Sequence, residues 1–292
     1  MINLGAMPIA VSDMILGEDG GIALSYDRGD TWRFVENLAV AQFYHISVDD
    51  AVPFNIYGGL QDNGSWYGPS TVWENKGILN AHWRRVGGGD GFTVMPDRGD
   101  PDNFGYSMSQ GGNLQHFNKN TGARRSIRPV HPDGTALRFN WNAGLTWDPL
   151  DPGTIFLGSQ FLHTSSDQGR SWRIISPDLT TNDPLKQRAE VSGGLTIDAS
   201  GAEMHTTIIS VGPSTLERGV IWVGTDDGNV QITQDGGENW LNVRDNIVGL
   251  PHGIWIPDVQ PSKHEPARAY LVAEDHRRGN WEPHVYVTED YG

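Results

Sequence analysis

The sequence predicts an all-β fold built from repeated four-stranded units, and three observations carry that expectation. The first is an eight-residue box. Ser25-Tyr-Asp27-Arg-Gly29-Asp-Thr31-Trp32 recurs as Ser165-Ser-Asp167-Gln-Gly169-Arg-Ser171-Trp172 and as Thr233-Gln-Asp235-Gly-Gly237-Glu-Asn239-Trp240, and Thr288-Glu-Asp290-Tyr-Gly292 begins it once more. Internal repetition of this kind decides an architecture before residue propensities do. The second is strand patterning, with short runs of alternating apolar and polar residues that stop at Gly, Pro or Asp. The third is composition. With 37 Gly and 17 Pro among 292 residues, the chain suits many turns between short strands.

The elements of one unit follow in order. An inner strand closes on an Asp/Pro turn, as in Ser47-Val-Asp-Asp, Val94-Met-Pro-Asp, Thr146-Trp-Asp-Pro and Trp255-Ile-Pro-Asp. A second strand ends in Gly or a small residue, as in Asn55-Ile-Tyr-Gly-Gly, Ile155-Phe-Leu-Gly-Ser, Ile221-Trp-Val-Gly-Thr and Ala269-Tyr-Leu-Val-Ala. The box then joins a third strand to a fourth, which opens at Trp32-Arg-Phe-Val, Trp83-Arg-Arg-Val, Trp172-Arg-Ile-Ile and Trp240-Leu-Asn-Val. Trp83 marks a box that has lost its other residues. Units repeat every 42 to 66 residues or roughly so, the spacing of propeller blades. We therefore expect one β-propeller region of about five and a half antiparallel blades, bounded at 1–38, 39–87, 88–138, 139–200, 201–248 and 249–292. The first is expected to be partial, and the sixth breaks off in its third strand. The longest unit carries an insertion at Ser176-Pro-Asp-Leu-Thr-Thr-Asn-Asp-Pro. Propellers hide strand edges by completing a ring, so the expected partners include the remaining blades of a longer parent chain, with the N-terminus truncated.

The boxes resemble those of the BNR, or Asp-box, β-propeller family, which includes sialidases, sortilin-type receptor domains, the photosystem II assembly factor and xyloglucanases. The resemblance implies that each box is a hairpin whose Asp holds local backbone and whose Trp packs between sheets. The chemistry of the residues agrees: a short acid two places before Gly suits a turn with a left-handed position, and Trp supplies large buried area. Asp27, Asp167, Asp235 and Asp290, with Trp32, Trp172 and Trp240, are therefore expected to be structural.

Alternation places the third-to-fourth and first-to-second turns on one face. The second-to-third turns and the connections between units fall on the other, where a propeller builds its site. An acid followed by Gly recurs in those turns, at Glu18-Asp19-Gly20-Gly21, Gln61-Asp62-Asn63-Gly64 and Asp226-Asp227-Gly228-Asn229, with Ser109-Gln110-Gly111-Gly112 in the third unit. Such pairs are favoured hairpin residues in their own right. The connections bring Phe43-Tyr44-His45, Gly87-Gly-Gly-Asp90-Gly91, Trp141-Asn142, His205-Thr206-Thr207 and His252-Gly253 to the start of each inner strand. The candidate ligand-binding residues are Asp19, Trp66, Trp141, Asn142, His205 and His252. Trp147, Trp222 and Trp255 lie in strands and are expected in the core.

Several classes of function are excluded or unsupported. Lys+Arg number 21 against 36 Asp+Glu, a net charge of −15, which leaves no basic stripe for nucleic acid. There is no Cys and so no thiolate chemistry. The ten His show no metal-ligand spacing, and no phosphate loop or Gly-x-Ser-x-Gly elbow occurs. Neither a metal nor another cofactor is expected. No apolar run is long enough to insert into a membrane. Asp97-Arg-Gly-Asp100-Pro-Asp102 is acidic but lacks the order of a calcium loop.

Two readings remain. One is a sortilin-like binding or scaffold domain that takes a glycan or peptide at the channel mouth, in a secreted or periplasmic bacterial protein. The other rests on a narrower resemblance. Gly87-Gly-Gly-Asp90-Gly-Phe-Thr-Val-Met-Pro-Asp97 followed by Phe104-Gly-Tyr-Ser-Met-Ser-Gln-Gly-Gly-Asn-Leu114 is similar to the opening blade of xyloglucanases. That likeness implies a glycoside hydrolase acting on β-glucans, with a catalytic Asp in the Gly-Gly turn, where this chain has Gln110. Asp62 and Asp90 are then the expected catalytic pair, since such enzymes need two carboxylates roughly 5 to 9.5 Å apart.

Overall fold

The computed structural model describes residues 3–6, 13–18, 20–38, 40–188 and 204–292. Among them there is no α-helix, and the strands form six antiparallel sheets. The first sheet holds β1 (Asn3–Ala6), β2 (Met14–Glu18), β3 (Gly21–Ser25) and β4 (Arg33–Phe34). The second holds β5 (Phe43–Val48), β6 (Asn55–Leu60), β7 (Gly64–Pro69) and β8 (Arg84–Gly87). The third holds β9 (Gly91–Pro96), β10 (Phe104–Ser109), β11 (Asn113–Asn118) and β12 (Arg124–Ser126). The fourth holds β13 (Leu145–Asp148), β14 (Asp151–Gly158), β15 (Leu162–Ser165) and β16 (Arg173–Ile174). The fifth holds β17 (Ile208–Pro213), β18 (Ile221–Thr225), β19 (Val230–Thr233) and β20 (Leu241–Asn242). The sixth has three strands, β21 (Trp255–Pro261), β22 (Ala269–Asp275) and β23 (Asn280–Thr288).

Every sheet is a meander in chain order, the blade topology of an all-β propeller. The first sheet has all four strands, where only part of one was expected. Its extra strand, Asn3-Leu-Gly-Ala, is too short and too weakly alternating to be read as one.

The chain divides into two units, Met1–Pro96 with Ser107–Ser109, and Asp97–Tyr106 with Gln110–Gly292. In the first unit, Tyr57, Phe92, Val94, Met95 and Met108 are buried, and the Tyr44 and Phe92 rings lie 4.3 Å apart. Here glycine is a matter of space. A Cβ on Gly59 would collide with Phe92 O, and one on Gly91 with Gly64 O. The glycines of β6 and β9 thus let two backbones approach in a way no side chain permits.

In the second unit the core lies between consecutive sheets. Phe156, Leu162, Leu179, Ile208, Ile221 and Val223 form one cluster between the fourth and fifth sheets. Trp222, Ile232, Ile254, Ile256, Val259 and Leu271 belong to another between the fifth and sixth. Each such aliphatic side chain contributes about 1.5–3 kcal/mol when fully buried.

The four boxes share one hydrogen-bond pattern. In the second, the Ser165 hydroxyl donates to Asp167 Oδ1 (2.9 Å) and accepts from Gly169 N (2.9 Å). Asp167 in turn accepts from Ser171 N (2.9 Å) and Ser171 Oγ (2.6 Å). Ser25/Asp27/Thr31 and Thr233/Asp235/Asn239 repeat these contacts, and Thr288 with Asp290 repeats the part it has. The donors hold Asp235 down to about 2, as the Asn239 amides reach it. Burial nudges Asp167 upward, but Ser171 and Ser165 more than offset it and hold it at about 2. The Trp indoles then join successive sheets: Trp172 Nε1 donates to Ile127 O (2.7 Å) and Trp240 Nε1 to Ile175 O (2.9 Å). Trp32 instead bonds its own turn at Gly29 O (3.1 Å) and is exposed.

The acidic run at Asp97 is also part of the framework. Burial raises its carboxyl, but donors from His116, Gly99 and Gln168 hold it below the ordinary carboxylate range.

Candidate functional site

Within the second unit the loops sort onto two faces. A cavity of about 340 Å³ is lined by first-to-second turns, such as Asp148, Asp151 and Ser214, and by box residues, such as Ser166, Ser171 and Gly236. On the other face lies a larger cleft of about 990 Å³. Its lining comes from the connections into β17 and β21 (His205, His252, Gly253) and from the turns after β18 and β22 (Asp227, Asn229, Arg277, Arg278). The rest comes from the chain after β20 (Arg244) and from the insertion (Thr181 to Lys186).

The wall nearest the fifth sheet is fixed by two buried acids. Asp227 Oδ2 accepts from Thr181 N (2.7 Å) and Thr181 Oγ1 (2.6 Å), and Oδ1 accepts from Thr225 Oγ1 (2.5 Å). Asn229 Nδ2 and Gln231 Nε2 both donate to Leu179 O, at 2.9 and 3.0 Å. The insertion is thereby clamped onto the turn between β18 and β19. Asp226 points into the unit and is fully buried. It accepts from Thr207 N (2.8 Å), Thr207 Oγ1 (2.5 Å) and Asn140 Nδ2 (3.0 Å). Burial, and then the charge of Asp227, push its carboxyl up to about 7.

His205 Nδ1 sits 3.6 Å from Asp226 Oδ1 and is buried, with no hydrogen-bond partner among the described residues. Burial, and then the Lys186 cation, push His205 down to about 4, so the ring is neutral at pH 7. Its edge faces the Trp255 ring at 5.9 Å. The Arg277 guanidinium lies 3.5 Å over that indole and is held by Glu274 at 3.0 Å. A stacked cation and aromatic ring of this kind form a rigid platform. Arg278 bonds Asp275 and, at 2.8 Å, His252 O. Chemically the cleft offers a flat aromatic surface, a neutral imidazole and several N–H donors.

Other expected site residues lie elsewhere. In the first unit, Asp90 Oδ1 accepts from Asp62 N at 2.8 Å. Burial raises the Tyr44 phenol, and the charges of Asp90 and Asp62 raise it further. Asp62, Asp90 and Tyr44 therefore share one corner. Trp66 donates to Asn63 O at 2.7 Å, closing its own hairpin. Trp141 is half-buried, and its carbonyl accepts from Gly111 N at 3.1 Å. Asn142 N donates to Asn140 Oδ1 at 3.0 Å, one step from Asp226. Asp19 lies outside the described residues. His205 and His252 line the same cleft.

Trp255 was expected in the core but lines the cleft, half-buried. It begins its strand two residues after Gly253, and the register against β22 shifts between Trp255 and Asp258. Lys186, Arg244 and Arg277 carried no signal of their own in the sequence. Among the described residues no group of three or more His, Asp or Glu has metal-binding geometry, and no helix is long and apolar enough to cross a membrane.

No family model and no curated protein matches the chain. Among solved structures it is similar to a GH74 enzyme of Niastella koreensis, at 12% identity over 98% of this chain and 55% of that one, with a TM-score of 0.34. It is also similar to a GH74 xyloglucanase of Xanthomonas campestris (14% identity, 98% and 50% covered, TM-score 0.42). A third likeness is to an extracellular domain assigned to a one-component system of B. thetaiotaomicron (15% identity, 92% and 31% covered, TM-score 0.48). The chain spans about half the length of these proteins or less.

Proposed function

We propose that this chain is a glycan-binding segment of an Asp-box β-propeller, with its ligand taken in the cleft of the second unit. The observation that carries the reading is the Trp255–Arg277 platform beside a neutral His205, set in a cleft of about 990 Å³. Sugar rings present apolar faces to such planes and hydroxyls to the acceptors and donors around them. The clamp from Asp227 to Thr181 fixes one wall before ligand arrives, which lowers the entropy lost on binding. Isothermal titration against plant and bacterial oligosaccharides tests the reading. At least one glycan should bind the wild-type chain, and Trp255→Ala should abolish that binding while the circular dichroism spectrum is retained. Binding that survives Trp255→Ala would remove the ligand from this cleft.

A second reading is favoured by the contact between Asp62 N and the Asp90 carboxylate. It makes the chain part of a β-glucan hydrolase with those two acids as general acid and base. Reducing-sugar release from xyloglucan, abolished by Asp62→Asn or Asp90→Asn, would support it. No release would leave the binding reading alone.

A further inference from the structure

We propose that the cleft of the second unit selects an acidic sugar, one carrying a carboxylate or a sulfate ester, over a neutral one. This rests on the glycan reading above and sharpens it. The charged groups facing the cleft fall into two sets. The acids are all engaged by protein donors. Asp227 holds Thr181 and Thr225. Glu274 holds Arg277 at 3.0 Å and His276 at 3.1 Å. Asp275 holds Arg278, Asp245 holds Arg244 Nη1 at 3.0 Å, and Asp183 Oδ1 accepts from Leu185 N at 2.9 Å.

Two cationic donors are not so engaged. Arg244 Nη2 is buried and, among the described residues, has no hydrogen-bond partner. Lys186 bonds Asp183 O through its backbone N–H, and among the described residues its ammonium has no ion pair or hydrogen bond. That ammonium lies against the cleft floor, where a Cβ on Gly253 would meet Nζ at 2.9 Å.

A buried donor without an acceptor is costly to leave unmet. A sugar hydroxyl can accept from it, but an anionic oxygen makes a charge-assisted bond roughly twice as strong. The protein's own carboxylates nearby already accept from other donors, so an acceptor for these two comes from the ligand, and an anionic oxygen meets them best. The fixed Arg277–Trp255 plane then takes the apolar face of the same ring. The selectivity comes from these two donors and not from net charge, since the lining holds Asp183, Asp227, Asp245, Glu274 and Asp275 against Lys186, Arg244, Arg277 and Arg278.

Titration calorimetry on the 292-residue chain tests this with four probes: trigalacturonic acid, a chondroitin sulfate tetrasaccharide, cellotetraose and a xyloglucan heptasaccharide. At least one acidic probe should bind tenfold or more tightly than either neutral one, and the arm that wins tells carboxylate from sulfate. Lys186→Ala, on a surface loop, should weaken that probe at least tenfold, and Lys186→Arg should restore it. Arg244→Gln should act in the same direction. Neutral probes binding as tightly as acidic ones, with Lys186→Ala silent, would overturn the proposal and leave the glycan reading intact. Binding of none of the four would overturn both.

Discussion

The turns at Gln61–Gly64 and Thr225–Asn229 carry the same signature, an acid followed within two residues by Gly, at the same place in their sheets. Their chemistry differs. Asp62 is exposed and held in a left-handed conformation at φ 59°, and its backbone N–H, not its carboxylate, makes the contact with Asp90. Asp226 and Asp227 are buried, and six donor contacts of at most 3.0 Å converge on the two. One turn reverses the chain at an exposed position beside a second acid. The other fastens an insertion lying 46 residues away in sequence and so raises the wall of a cleft. What separates them is burial and the insertion, which brings Thr181 to Asp227.

The largest expected effect follows from removing that fastening. Asp227→Ala strands Thr181 N, Thr181 Oγ1 and Thr225 Oγ1, and should cost about 3 kcal/mol of unfolding free energy. Urea denaturation measures it, and ligand binding at the cleft should fall with it. A change below about 0.5 kcal/mol would show that the clamp is incidental.

Next come Asp226 and His205, which act on the pH profile with opposite signs. Asp226 is raised to about 7 from 3.8, so its contribution is complete below about pH 4 and is lost as pH climbs to about 7. His205 is lowered to about 4 from 6.5, so its contribution is complete above about pH 6.5 and is lost as pH falls toward 4. In the wild type the two slopes oppose each other. Asp226→Asn leaves the histidine slope, and stability should rise from about pH 4 to 6.5. His205→Gln leaves the aspartate slope, and stability should fall over the same range. Parallel profiles for the two variants would contradict the assignment.

Smaller still, Thr181→Ala removes one hydroxyl donor from Asp227 and should cost about 1 kcal/mol. The smallest effect belongs to Asp62→Asn. Asn accepts the left-handed conformation, so thermal unfolding should shift by less than about 0.5 kcal/mol. A larger loss would make the two turns alike after all.

The fold was legible because the box writes its hydrogen bonds into adjacent residues. Ser165, Asp167, Gly169 and Ser171 satisfy one another within seven positions, so the repeat shows in sequence. What the box glycine touches was not visible. A Cβ on Gly169 would sit 2.6 Å from Ile127 Cδ1, a contact between successive sheets. The cleft is legible in the same uneven way. His205 and His252 stand at the connections where a site was expected. Trp255 looks like a core residue until the register shift before Asp258 turns it outward. Lys186 and Arg244 come from an insertion and from the residues after β20, and the contacts of Asp227, Asn229 and Gln231 hold that insertion against the cleft. Local periodicity records nothing of such a meeting.

Two places compete for the proposed ligand, the cleft of the second unit and the Asp62–Asp90 corner of the first. The most direct measurement sets two variants side by side, Trp255→Ala and the double variant Asp62→Asn/Asp90→Asn, against whichever oligosaccharide the wild-type chain retains. Trp255→Ala should lose binding at least tenfold while the double variant keeps wild-type affinity. Loss in the double variant with full binding by Trp255→Ala would contradict the cleft reading.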